Sequence, residues 1–158
     1  MEIKFNLEKE YKSLKIKYNL PRFEKIIQDF DVEKLYDKET SFLAREIRRI
    51  INEKITAYAH LFETLINPTS PQMFVFQILK NVSIQDREII QNLYKTLSKI
   101  QLDTMKLDTI YSEKAEIVFI NNTFKVWQKI KPEIYNLFES FEKKFGNGNI
   151  SKKQSYFD

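Results

Sequence analysis

Residues 83–131, SIQDREIIQNLYKTLSKIQLDTMKLDTIYSEKAEIVFINNTFKVWQKIK, decide the fold. Ser83 stands just before an apolar pattern with Asp86 three residues on. Its hydroxyl suits the first free backbone donors of a helix, and the carboxylate suits the positive helix end. Ile90, Leu93, Leu97, Ile100, Leu107, Tyr111, Ala115, Val118 and Phe119 then recur at three- and four-residue spacing, which predicts one very long amphipathic helix from Ser83 to about Lys131. A second stripe, Ile110, Ile117, Ile120, Phe124 and Trp127, falls well away from the first at about 100° per residue. A helix with two apolar faces needs two neighbours.

Upstream, a helix is expected from Leu7 to about Tyr18 behind a cap at Asn6, although Ile3, Phe5 and Leu7 also alternate as a strand would. Pro21 suits the first turn of a second short helix that stops near Asp31. Val32 to Ile66 reads as a long helix with a broad apolar face and Asp37 as its one breaking point. Asn67-Pro68 ends it, and Pro71 to Asn81, with Met73, Phe74, Val75 and Phe76 in succession, reads as a deeply buried plug. Asn121-Asn122 and Pro132 are two places for the central helix to bend or break, with at least a kink expected at Pro132, and a final helix with Ile134, Leu137, Phe138, Phe141 and Phe145 on one side follows, with Gly146 as a natural terminator. The expected fold is therefore all-α: a long antiparallel helical hairpin within an elongated helical bundle. Residues 1–146 form its single domain, and 147–158 form a disordered tail.

Composition agrees. The 158 residues are 42% hydrophobic and 14% aromatic, enough for a core, and 2 glycines with 4 prolines supply little of the turn chemistry of a many-stranded protein. No cysteine is present, which removes disulfides, thiolate metal sites and cysteine nucleophiles. The first residues are charged, and the longest uncharged run, Thr64 to Leu79, contains Pro68 and Pro71 and falls short of the ~20 residues of a membrane span. A cytoplasmic protein with no membrane partner is expected.

The net charge of +4 comes from 26 basic and 22 acidic residues mixed along the chain. The one arginine cluster, Arg45, Arg48 and Arg49, lies opposite the apolar face of its helix, a place from which to grip a phosphate backbone or a partner's carboxylates. Glu39, Glu46, Glu53 and His60 follow one another by sevens. Each step rises ~10 Å, too far for neighbours to share an ion. Glu113-x-x-Glu116 and Glu139-x-x-Glu142 have the spacing of a paired acidic magnesium site, but the second pair projects away from the Ile134/Phe138/Phe141 face. No metal and no cofactor are expected. Lys54 and Asp108 fall inside apolar stripes, where a charge has to be paired or led out to solvent, and so mark a candidate buried polar network.

Glycine-rich phosphate loops and nucleophile elbows are absent, so no catalytic signature names an enzyme. Three function classes follow in order: an interaction or scaffold protein with an unidentified protein partner, a nucleic-acid-associated protein using the Arg45/Arg48/Arg49 face, and an enzyme with a polar site between helices. The Ile110/Ile117/Ile120/Phe124/Trp127 stripe has two ways to be covered, by a second copy or by the N-terminal helices of the same chain. Because those helices are short and lysine-rich, self-association as a homodimer is expected.

Overall fold

In the computed structural model, which describes residues 5–148, the helix alternative holds from Leu7 onward, and Ile3 of the strand alternative lies outside the described residues. Asn6 accepts a hydrogen bond from the Lys9 amide and opens α1 (Leu7–Tyr18), and Asn19 closes it in the left-handed conformation that asparagine tolerates. Pro21 lies just ahead of α2 (Phe23–Asp29). The expected Val32–Ile66 helix is divided: a 3-10 turn at Val32–Leu35 is followed by the polar run Asp37-Lys38-Glu39-Thr40-Ser41, and α3 begins only at Leu43 and runs to Ile66. The break near Asp37 is thus the correct alternative. Short polar side chains offer the backbone local bonds that compete with a helix, and the Thr40 hydroxyl takes one from the Phe42 amide.

Helix α4 (Met73–Leu79) corrects the plug expectation. Val75 and Ile78 face inward, but Phe74 is 61% exposed and Met73 and Phe76 are exposed beside it. A two-turn helix with four apolar residues in succession cannot bury all of them against one neighbouring surface.

Helix α5 (Ile84–Thr109) opens with the expected capping box, in which the Ser83 hydroxyl accepts from the Asp86 amide and the Asp86 carboxylate accepts from the Ser83 amide, each at 3.0 Å. The single long helix is overturned at Ile110, whose backbone is extended, and a new helix, α6, spans Glu113–Gly148. Ser112 starts α6: its hydroxyl accepts from the Ala115 amide and its carbonyl from the Glu116 amide. The two expected bend or break points are both inside α6, which does not break at Asn121, Asn122 or Pro132, so the final helix is not separate, and which passes Gly146. Pro132 forfeits one backbone bond, and the buried Ile130 and Ile134 on either side hold the helix in place. Of the expected tail, 147 and 148 belong to α6 and 149–158 lie outside the described residues.

The fold is all-α, a helical bundle with no strand among the described residues. Helix α3 packs most extensively on α5 and next on α6, while α5 and α6 touch each other less. The α1–α2 segment folds over α3 and α6: Phe30 packs on Trp127, with ring centroids 5.7 Å apart, and the Tyr18 hydroxyl donates to Glu113 at 2.7 Å. The buried residues form one continuous core. No helix among the described residues is long and apolar enough to cross a membrane.

Candidate functional site

Helix α3 is flanked by two helices, which narrows its outer face to the edge of Arg49, Glu53, Thr56, His60 and Glu63, and this decides where its arginines go. Arg48 turns inward. Its side chain is 1% exposed and its Nε donates at 2.5 Å to Oε2 of Glu116, which is fully buried at 0%. One guanidinium nitrogen of Arg48 also donates to Asp108 Oδ1 at 2.6 Å and reaches Glu116 Oε1 at 3.4 Å. Asp108 belongs to the last turn of α5 and Glu116 to the first turn of α6, so one arginine ties together both sides of the elbow at Ile110–Ser112. Burial alone lowers the pKa of Arg48, but its bonds to Glu116 and Asp108 outweigh that and raise it above the ordinary arginine value.

Arg45 sits one turn earlier. Its guanidinium lies 4.4 Å from the centroid of the Tyr111 ring and 5.5 Å from that of Phe42, and its Nε is 3.8 Å from Glu116. Tyr111, in the elbow, has its hydroxyl pKa raised by burial and then by the charge of Glu113. Glu113 accepts from Tyr18 and from Lys17 at 3.0 Å, and these two bonds hold it below the usual carboxylate range. Arg49 points outward to Glu46 at 3.3 Å, and Glu46 also takes Lys38. The three arginines therefore do not share a face: Arg48 is inside, Arg45 lies against the paired Phe42 and Tyr111 rings and Arg49 is on the surface.

Lys54 and Asp108 do not form one network. The Lys54 ammonium donates to the carbonyl of Asp29 and lies over the rings of Trp127 and Phe30. Asp108 is 54% exposed rather than buried, because the elbow ends α5 one residue later and leaves its side chain at the rim. The second stripe is mostly interior. Ile117, Ile120 and Trp127 are buried, Phe124 packs against the core from a half-buried position, and only Ile110, 78% exposed at the elbow, faces water. The cover comes from the same chain, so this stripe does not supply a dimer seam.

Neither acidic series assembles. Glu116 is consumed by Arg48, Glu113 by Tyr18 and Lys17, and Glu53 by Lys34 at 3.8 Å. No group of three metal-ligating side chains comes together among the described residues. Reasoning from sequence missed Glu116 as the buried partner of Arg48. Its signal was present: Glu116, Ile120, Thr123 and Trp127 share one helical edge, all buried.

An opening in the surface lies between α5 and α6. Beyond the elbow the two helices leave a groove of about 640 Å³. Ile100 and Leu107 of α5 and Ala115, Phe119 and Val126 of α6 form its apolar floor, and Lys95, Lys99 and Lys106 stand along the α5 side. Val118 and Asn122 border the α6 side and are exposed. The three lysines are spaced by four and seven along one edge of α5, a pattern readable in the sequence and not singled out there. The chain matches no protein-family model, no curated protein and no solved structure.

Proposed function

We propose that this is an interaction or scaffold protein, and that the open seam between α5 and α6 receives its partner. The observation that supports the reading is the groove itself. Helix α3 packs on α5 and on α6 more extensively than these two pack on each other, and between α5 and α6 Leu107, Ala115 and Val126 stay half-exposed over the buried Ile100 and Phe119, between charged edges. Apolar surface rimmed by polar residues is the usual mark of an interaction site. The ionic cluster around Arg48 serves the fold, since its charges are directed at one another. With Arg48 inside, the arginine face on which a nucleic-acid role would rest loses its middle member. A photo-crosslinking residue at Val118, compared with one at Ser13 on the far helix α1, tests the reading. Discrete protein adducts at Val118 that disappear in Lys95→Glu are expected, and equal labelling at both positions would overturn it.

Self-association is a second reading, and α4 favours it. Met73, Phe74 and Phe76 stand exposed beside an apolar groove of about 390 Å³ that Leu61, Ile78, Phe138 and Phe141 help to line. Knob and hollow on one patch suit a two-fold contact between copies. Light scattering of the wild type and Phe74→Glu decides it, because a monomeric wild type at tens of micromolar ends this reading.

A further inference from the structure

We propose that the α5–α6 groove takes an acidic amphipathic helix of a partner protein. This rests on the interaction reading above and adds the chemistry of the partner.

The shape argument comes first. Along α5 the groove extends from Lys95 to Leu107, and at 1.5 Å per residue that is ~18 Å, or more than three turns. Its floor is made by two antiparallel helices joined at the elbow, with α3 beneath them. An added helix fits such a trough because one apolar stripe, repeating every three or four residues, settles between the two ridges and completes a four-helix arrangement.

Charge then selects the kind of helix. Three lysines and one acid, Asp103, line the groove, and Asp103 lies 3.9 Å from Lys106. On the opposite edge Lys125 and Lys129 follow Asn122 at helical spacing, both exposed. Among the described residues Lys95, Lys99, Lys125 and Lys129 make no ion pair. Lysines on both edges of an apolar floor complement a helix whose flanks carry Asp and Glu, and they repel one whose flanks are basic. A membrane surface fits less well, because the apolar residues are recessed between the helices while the lysines project.

The test uses a fluorescent peptide of about 18 residues, long enough to form helix on a surface, with leucines at three- and four-residue spacing and glutamate elsewhere. Controls carry glutamine or lysine in place of glutamate, or scramble the leucines. Anisotropy is expected to show saturable binding of the acidic peptide that weakens as salt is raised. Lys95→Glu with Lys99→Glu should weaken it by about tenfold or more, and Val118→Asp should abolish it, with circular dichroism and Trp127 emission unchanged in both variants. Equal or tighter binding of the lysine or glutamine peptide, still lost in Val118→Asp, overturns the acidic class and leaves the interaction reading standing. Equal binding of the scrambled peptide, or no binding of any peptide, overturns the proposal. In the second case the Val118 cross-linking decides the interaction reading separately. Stable binding to phosphatidylserine vesicles that the acidic peptide does not displace also overturns it, in favour of a membrane surface.

Discussion

Arg48 of α3 and Glu116 of α6 meet at 2.5 Å with both side chains out of solvent, and Asp108 of α5 takes a second bond from the same guanidinium. Three helices are thus fixed by one side chain at the point where α5 turns into α6. Two buried opposite charges contribute little net stability compared with apolar residues of the same volume, but removing one of them strands the other. Arg48→Met should therefore cost about 3–5 kcal/mol, measured as a lower denaturant midpoint at constant slope. Arg48→Met with Glu116→Leu should recover most of that loss. A single variant as stable as the wild type would show that water reaches Glu116.

The elbow itself has a local and a tertiary hold. Ser112 caps α6 through the Ala115 amide at 3.2 Å, and Arg48 ties Asp108 to Glu116 across the turn. Ser112→Ala should cost about 1 kcal/mol, the ordinary loss of a helix cap. Combined with Arg48→Met it removes both the cap and the tie across the turn, leaving the contacts of Phe42 and Arg45 with Tyr111 and of Tyr18 and Lys17 with Glu113, and an α5–α6 that straightens can rebury its apolar stripes by exchanging α6 with a second copy. The double variant should show an added dimer in light scattering. An exclusively monomeric double variant would mean that these remaining contacts and the packing of α6 set the turn.

This elbow also shows where the sequence stops being legible. The start of α5 was readable because Ser83 and Asp86 act on their own neighbours within one turn, and the cap at Asn6 was readable for the same reason. Nothing between Thr109 and Glu113 is a glycine or proline, and the apolar spacing runs straight through, so the Ser112 cap is the one local mark of the break and the rest of its hold comes from contacts with α3 that no local pattern carries. Pro132 is the converse case: a strong local breaker overruled by the packing of Ile130 and Ile134. The same limit applied to the site. A single-faced view of α3 put Arg48 outside, whereas neighbours on two sides place it inside. The groove was legible only in parts, as lysines on one helix and apolar residues on another, until the elbow set them side by side.

Acid should unfold the protein through a small set of carboxylates. Burial alone raises the pKa of Asp29, but hydrogen bonds from Gln128 and Lys131 more than offset it and the net shift is downward. Asp86 behaves alike, with burial opposed by Lys144 and by Ser83, and Glu113 is held down by Tyr18 and Lys17. A carboxyl group with a depressed pKa in the folded state contributes stability above its unfolded value, about 4, and loses it as pH falls through the folded value. Stability should be level from neutral pH to about 5 and fall below about 4. Asp29→Asn with Asp86→Asn should be less stable at neutral pH and lose less on acidification. Parallel pH curves for variant and wild type would place the acid sensitivity elsewhere.

Lys54 offers a prediction with its own reporter, because Trp127 is the only tryptophan in the chain. The Lys54 ammonium donates to the Asp29 carbonyl and lies 5.1 Å from the centroid of the Trp127 ring, while Phe30 and Tyr58 pack on the same indole. A charge-assisted hydrogen bond and a cation over an aromatic face together are worth about 2 kcal/mol at a half-buried site. Lys54→Met keeps the length of the side chain and removes both, so it should destabilise by about 1–2 kcal/mol. The Trp127 emission should shift in the folded state, since the nearest positive charge has gone while the ring stays buried. Lys54→Arg separates charge from shape, because it retains a cation above the ring and should keep most of the wild-type spectrum. If Lys54→Met leaves both the spectrum and the stability unchanged, then the ammonium spends its time in water and the α2–α3–α6 junction is held by Phe30, Tyr58 and Trp127 alone.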